Sequence, residues 1–279
     1  MAALRIGWWN TSLNPPRVRE IHAKSPSAVY AGLLCLLDRV DLLFLGETLL
    51  SDKIAEVVTN YNVSQPTLPL RRTFRFDTRR TGKANNRFRT MCLYDASRVS
   101  CTPDCLVDDW FNLAGDDKSK HYRVGQRYDF NLPNPIGKTS FYVVHWSQYS
   151  EEDGEAMKLL AAHQLRSNMD GYSDNRIVCL GDFNCEPPAK AMAALGASRS
   201  IEYVERRGGF FNGFWKLQEY GSIESENTRF MKTTHPLFDQ ILLNKALIVR
   251  QGGRFECEIL ENDVYHPLDG EHRPVVVTL

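Results

Sequence analysis

The chain has 279 residues, 43% of them hydrophobic and 24% charged, and 34 basic residues balance 34 acidic ones for a formal net charge of zero. That length and composition exclude a disordered, collagenous or coiled-coil chain and are enough for a substantial core without staples. A neutral total lends nothing to nucleic-acid binding, although such binding depends on a local patch and not on a sum.

The elements follow in chain order. The opening MAALRIGWWN has no basic stretch, long apolar run and small-residue cleavage site, so it does not read as a secretory signal. Leu4–Trp9 reads as a strand that delivers Asn10 at its end. Ser27–Arg39 has apolar residues at helical spacing with Ser27 as N-cap. Leu42–Gly46 is a continuous apolar run, as suits a strand buried on both faces, and it ends at Glu47. Arg71–Arg89 carries eight basic residues (Arg71, Arg72, Arg75, Arg79, Arg80, Lys83, Arg87, Arg89) against one acid, Asp77, with Phe74, Phe76 and Phe88 between them. Gly82 and Asn85–Asn86 fit a turn, which would make this stretch a basic hairpin. Thr90–Tyr94 and Ser140–His145 read as strands, the second ending in a histidine.

Residues 101–135 show no clean period and read as a long excursion. Gly154–Met169 reads as a helix, with Glu151, Glu152, Asp153 and Glu155 at its N-terminus, where negative charge suits the helix dipole. The strand Arg176–Leu180 runs into GDFN, and a short helix is expected over Pro188–Leu195. Residues 203–234, with GGFFNGFW, form a second excursion in which Trp215 is either a contact surface or core packing. Gln240–Asn244 follows Asp239, and Pro274–Leu279 follows the pair Glu271–His272. Strands alternating with helices, and no linker or repeat, point to an α/β fold in one domain over residues 1–279. No apolar run approaches the roughly 18–20 residues of a membrane span. The seven cysteines form an odd set without a CxxC pair, several inside apolar runs, which fits a reducing, cytoplasmic setting.

Five of these strand ends carry chemistry. Asp182 and Asn184, two apart past a rigid strand, can orient a water and donate to a developing oxyanion, or they can form a simple Asx-turn. Glu47 is either a ligand for a hard cation or a solvated strand-end acid. Asn10 offers an amide oxygen to a metal-bound water, or it is turn chemistry. His145 alone reads as a core histidine. Asp239 is an acid that can orient His272, a recurring acid/base device.

The ordered set Asn, Glu, His, Asp-x-Asn and Asp…Glu-His resembles the endonuclease/exonuclease/phosphatase superfamily, which includes deoxyribonuclease I, from Ile6 to Leu279. GDFN and the terminal EHRPV are the most specific parts of the likeness. The resemblance implies a four-layer α/β sandwich of two packed mixed β-sheets flanked by helices. It implies a metal site at Asn10 and Glu47, with Glu47 the principal ligand and Glu271 a further one. It also implies Asp182 as the residue that aligns or activates the attacking water, Asn184 and His145 as phosphate donors, and His272 as a catalytic histidine oriented by Asp239. Glu271 stands where the family usually has Asp, and Ser12 where it often has an acid. Mg²⁺ is the expected ion and Mn²⁺ an alternative. The expected activity is hydrolysis of phosphodiesters in DNA or RNA, with Arg71, Arg72, Arg75, Arg79, Arg80, Arg87, Arg89 and Trp215 as substrate contacts. A small-molecule or lipid-headgroup phosphoesterase and an inactive binding module are the alternatives.

Overall fold

The structure is a computed structural model that describes residues 3–13, 26–48, 51–65, 72–78, 90–100, 110–114, 121–146, 151–171, 175–217, 237–260 and 272–279. Its strands are β1 (Arg5–Asn10), β2 (Leu42–Gly46), β3 (Phe74–Thr78), β4 (Met91–Asp95), β5 (Trp110–Ala114), β6 (His121–Leu132), β7 (Gly137–His145), β8 (Arg176–Asp182), β9 (Ala197–Ser198), β10 (Phe210–Asn212), β11 (Asp239–Asn244), β12 (Glu256–Ile259) and β13 (Val275–Thr278). The helices are α1 (Pro26–Leu37), α2 (Ser51–Ser64), α3 (Glu151–Asp170), α4 (Lys190–Leu195), α5 (Ile201–Arg207) and α6 (Lys245–Arg250). One sheet has the order β12-β13-β1-β2-β4-β3 and the other β5-β6-β7-β8-β11-β10-β9. Both are mixed: β1 runs parallel to β2 and β7 parallel to β8, while β13 and β11 pair antiparallel to β1 and β8.

The alternation of side chains along these strands sorts the apolar residues into layers. Ile6, Trp8, Phe44, Tyr128, Phe130, Phe141, Val143 and Leu180 fill the space between the sheets. Trp9, Leu43 and Leu45 point the other way, against Val29, Leu33, Leu36 and Leu37 of α1 and Ile54, Val58 and Tyr61 of α2. Tyr142, Val144 and Cys179 point outward to Ala161, Ala162, Leu165 and Met169 of α3 and to Met192 and Leu195 of α4. The result is helix, sheet, sheet, helix. Phe44 touches Tyr128, Phe130 and Phe141 with ring centroids 5.2–6.3 Å apart. Truncating such a ring to Ala costs about 3–5 kcal/mol in a close-packed core.

The continuous apolar runs are strands, as their composition predicts, because both faces of each are covered. The described residues of the excursion over 101–135 are mostly sheet: β5 and β6 lie in it, with a register shift between Phe111 and Asn112. Its period is hidden because Gln126, Arg127 and Asp129 are buried polar residues, Arg127 pairing with Asp129 at 2.8 Å. α1 begins at Pro26, so Ser27 lies inside the first turn and does not cap it. Cys35, Cys92, Cys179, Cys185 and Cys257 are free thiols. Among the described residues, no helix is long and apolar enough to cross a membrane.

Candidate active site

The topology alone gathers the chemistry-bearing strand ends on one edge of the sandwich. Because β1 and β2 are parallel, Asn10 falls opposite Gly46, next to Glu47. Because β7 and β8 are parallel, His145 falls opposite Asp182. The antiparallel β11 starts at Asp239, opposite Asp182 on its other side. β13 runs antiparallel to β1 with Val275 opposite Trp8, which brings His272 to the same edge.

Two glycines make the strand ends possible. Gly181 has φ +143°, and a Cβ there would lie 1.9 Å from the Val144 carbonyl oxygen. A Cβ on Gly46 would lie 2.6 Å from the Trp8 ring. Each glycine therefore precedes an acid, as LGE and LGD, because the neighbouring backbone or ring occupies the space of a side chain.

The side chains meet closely. Asn10 Nδ2 donates to Glu47 Oε1 at 3.3 Å and to Asp182 Oδ2 at 3.2 Å. His145 Nε2 lies 3.5 Å from Glu47 Oε1 and 3.7 Å from Asp182 Oδ2. His272 Nε2 lies 3.7 Å from the same Asp182 oxygen, and its Nδ1 is 2.5 Å from Asp239 Oδ2. Asp182 Oδ1 accepts from the backbone N–H of Asn184 at 2.8 Å, so the Asx-turn and the site coexist: one oxygen closes the turn and the other faces the cluster. Asn184 Nδ2 donates to the Trp146 carbonyl at 2.6 Å, which takes one of its two N–H groups. The Lys158 ammonium on α3 donates to the Asn184 carbonyl. Glu47 (φ +56°), Asn184 (φ +47°) and Ser12 (φ +51°) are the non-glycine residues held in the left-handed region among those described, and all three border this cluster. Such strain persists where the surroundings over-determine it, and it concentrates at functional sites.

Burial pushes the Glu47 carboxyl up, opposed by the charge on His272 and by the Asn10 hydrogen bond. Burial also pushes Asp182 up, and Asp239 adds to the rise, while His272, His145 and the Asn184 N–H pull against it. For His272, burial acts downward, but Asp239, Asp182 and Glu47 together outweigh it and raise the imidazole to about 9. Among the described residues, the only ion-pair partners of Glu47 and Asp182 are His145 and His272. Among the described residues, the site thus gathers three carboxylates, Glu47, Asp182 and Asp239, around two imidazoles.

No protein-family model matches the sequence, and no curated protein matches it. Solved structures match over nearly all of it. An endonuclease/exonuclease/phosphatase from Bacteroides vulgatus superposes with a TM-score of 0.64 at 11% identity, over 100% of this chain and 98% of the other. TDP2 from D. rerio, complexed with single strand DNA product, gives 0.62 at 14% identity over 100% and 99%. A mannosyl-6-phosphatase from Bacteroides thetaiotaomicron gives 0.59 at 10% identity over 99% of each chain. The chain has the endonuclease/exonuclease/phosphatase fold.

Within that fold, the expected residues Asn10, Glu47, His145, Asp182, Asn184, Asp239 and His272 stand at one mouth, and Glu271 lies outside the described residues. Asn10 is differently oriented than expected. Its Oδ1 accepts from the Ser12 N–H at 3.1 Å, so it turns donors and not an oxygen toward the cluster. Asn10 therefore clamps the two carboxylates together, and of the pair Asn10 and Glu47 only Glu47 presents oxygens to the cluster.

Arg72 is a correction. Its guanidinium bonds Asp41 Oδ1 at 2.6 Å, Asp95 Oδ2 at 3.1 Å and the carbonyls of Leu37 and Val40, at the end of β2 remote from Glu47. Those acids and carbonyls engage four of its five N–H donors and hold it away from the site. Arg75 is exposed but pairs in register with Tyr94, again at the Asp41 end. Arg71, Arg79, Arg80, Arg87 and Arg89 lie outside the described residues. Trp215 is half-buried in the 3-10 turn Gly213–Leu217, whose Phe214 belongs to the inter-sheet core, and no hydrogen bond joins it to the cluster among the described residues.

Sequence reasoning missed the indoles. Trp8 Nε1 donates to Asp239 Oδ1 at 2.7 Å, and Trp9 Nε1 donates to the His272 carbonyl at 3.0 Å. The signal available was the pair of tryptophans directly before Asn10.

Proposed function

We propose that this protein is a divalent-metal-dependent phosphoesterase, one catalytic domain over residues 1–279, whose substrate is the phosphodiester backbone of DNA or RNA. The observation that carries the reading is the convergence of Glu47, Asp182 and the His272–Asp239 pair, with Asn10 bridging two of the acids. Among the described residues, Asp182, Asp239 and His272 form an acid–histidine group with ligand atoms within 4.8 Å of one another. Asp239 is a poor ligand, however, because Trp8 and His272 already occupy its two oxygens. The donor set that fits a hard cation is Glu47, joined by Glu271 on the family resemblance, with oxygen donors that favour Mg²⁺ or Mn²⁺ over zinc. When bound, such an ion neutralises phosphate charge and stabilises the leaving oxygen.

The chain's own groups supply the rest. Asp182 Oδ2, a buried carboxylate of raised proton affinity, accepts the proton of an attacking water. The water oxygen bonds to phosphorus as the ester P–O bond breaks in line. His145 Nε2, at the end of β7, and His272 Nε2, just before β13, face the Asp182 oxygen and donate to the non-bridging oxygens as charge builds there. The second N–H of the Asn184 amide is a further donor.

Nucleic acid is supported by where the basic stretch leaves and re-enters the sheet. Thr78 pairs with Met91, and Met91 with Leu45, two residues before Glu47. The ends of β3 and β4 at Thr78 and Met91 thus lie on the catalytic edge, and Arg79, Arg80, Lys83, Arg87 and Arg89, which stand between them in the sequence, lie outside the described residues. A small-molecule or lipid-headgroup phosphoesterase is the second reading. It is favoured by the neutral net charge and by the engagement of Arg72 away from the site.

The test incubates purified protein with supercoiled plasmid, single-stranded DNA and RNA, with Mg²⁺ or with EDTA, beside Glu47→Gln and His272→Ala. Metal-dependent cleavage lost in both variants is expected. Equal cleavage by wild type and variants would overturn the site. Hydrolysis confined to phosphorylated metabolites or lipid headgroups would overturn the nucleic-acid assignment alone.

A further inference from the structure

Consecutive residues on a strand point to opposite faces. In β1 this sends Trp8 into the inter-sheet core and Trp9 to the α1–α2 side. Both indoles nevertheless end on the same pair of residues. Trp8 Nε1 reaches Asp239 Oδ1 at 2.7 Å, and Trp9 Nε1 reaches the backbone carbonyl of His272 at 3.0 Å. Asp239 is fully buried, so each of its oxygens needs a donor; His272 takes one and Trp8 the other. The Trp8 ring also lies against Gly46 at the end of β2, close enough that this glycine cannot carry a side chain. One ring therefore touches the strand end that presents Glu47 and the acid that orients His272.

We propose that Trp8 is a positioning residue of the hydrolytic reaction: its indole N–H fixes the plane of the Asp239 carboxylate and thereby aims His272 into the site. Trp9, through the His272 carbonyl, holds the same residue from its backbone. The inference rests on the phosphoesterase reading for its consequence in turnover, but not for its geometry. Without the indole N–H, the Asp239 carboxylate loses the 2.7 Å hydrogen bond that fixes its plane and can rotate away from Nδ1 of His272.

The decisive variant is Trp8→Phe, which keeps an aromatic ring and removes the N–H. Loss of a hydrogen bond that supports a catalytic group lowers activity by about 10- to 100-fold, and here the loss should fall in kcat, with KM for bis-p-nitrophenyl phosphate changed less than about twofold, since Trp8 is fully buried and touches no substrate. Ile6→Val, on the same face of β1, is the packing control and should keep kcat within about twofold.

A second readout needs no activity. The short Nδ1–H···Oδ2 hydrogen bond of the His272–Asp239 pair should give a downfield proton resonance in the metal-free protein, present in wild type and Ile6→Val and absent in Trp8→Phe. Should Trp8→Phe not fold, the indole Nε1–H of Trp8 is read directly in ¹⁵N-tryptophan-labelled protein, and it should move on Asp239→Asn. A Trp8→Phe protein that keeps both kcat and the downfield resonance would overturn the inference, as would a Trp8 indole signal unmoved by Asp239→Asn. A wild type without phosphoesterase activity but with the resonance behaving as stated would overturn the functional reading and leave the positioning intact.

Discussion

Asp41 and Glu47 stand at the two ends of β2, roughly 20 Å apart by the rise of an extended strand, and each belongs to a cluster of acids on a neighbouring set of strands. At the Asp41 end, Arg72 and Arg98 each reach Asp41 at 2.6 Å, Arg72 continues to Asp95, and the Arg5 N–H closes the network at 2.8 Å. At the Glu47 end, Asp182 and Asp239 join the glutamate, and imidazoles are the partners seen. Buried carboxylates matched by guanidinium are a structural device, closed to further chemistry. Glu47 and Asp182, which among the described residues pair only with imidazoles, are pushed toward protonation by burial and hold free energy that a bound ion can release. The same strand thus carries a finished electrostatic joint at one end and an open one at the other.

The sharpest way to break this contrast is to neutralise each end in turn. Glu47→Gln should lower metal-dependent hydrolysis by about a thousandfold or more, with an unchanged or slightly raised Tm in metal-free buffer, because a destabilised buried charge is gone. Asp41→Asn should do the reverse. It leaves two guanidiniums short of a partner, and breaking a buried pair costs about 3–5 kcal/mol; some solvent access to both arginines brings the expectation to about 2–3 kcal/mol, with specific activity of the folded fraction retained. Denaturant titration and initial rates on both variants check the pair, and loss of activity in both would erase the distinction.

Metal linkage sharpens it further. Mg²⁺ at a hundred times its Kd should stabilise the wild type by about 2.7 kcal/mol, by mass action on the folded state. The same addition should shift Asp41→Asn equally and Glu47→Gln hardly at all, read by thermal melts with and without EDTA.

The His272–Asp239 pair adds an expectation on pH. His272 is raised to about 9 from an ordinary 6.5, so the stability its charged pairing adds is present in full below about pH 6.5 and is lost as pH climbs through about 9. Metal-free wild type should lose stability across that window, and Asp239→Asn should flatten the curve. A wild-type curve as flat as the variant's would mean that the pairing does not hold the proton.

Much of the frame was legible because chemistry here sits where apolar runs stop. LLFLG and IVCLG are buried on both faces, so their ends are marked by the first polar residue, and Glu47 and Asp182 stand out in the sequence for the same reason that they stand out in the fold. The α2 helix was not legible: DKIAEVVTNYNVS is polar over most of its surface and buries only Ile54, Val58 and Tyr61. The role of Arg72 was hidden as well. A basic run looks uniform in sequence, whereas Asp41 and Asp95, 31 and 23 residues away, take one member of it into the fold. The Asn10 orientation was out of reach, since an amide offers an oxygen and a nitrogen alike until Ser12 claims the oxygen.

The strand order has a consequence for the life of the molecule. β13 inserts between β12 and β1, and its neighbour His272 completes a cluster whose Asn10 and Glu47 are synthesised far earlier. A nascent chain on the ribosome holds a gap between β12 and β1 until β13 is released to fill it. The cluster at this edge is therefore timed by translation itself: it cannot close before residues 272–278 have been read.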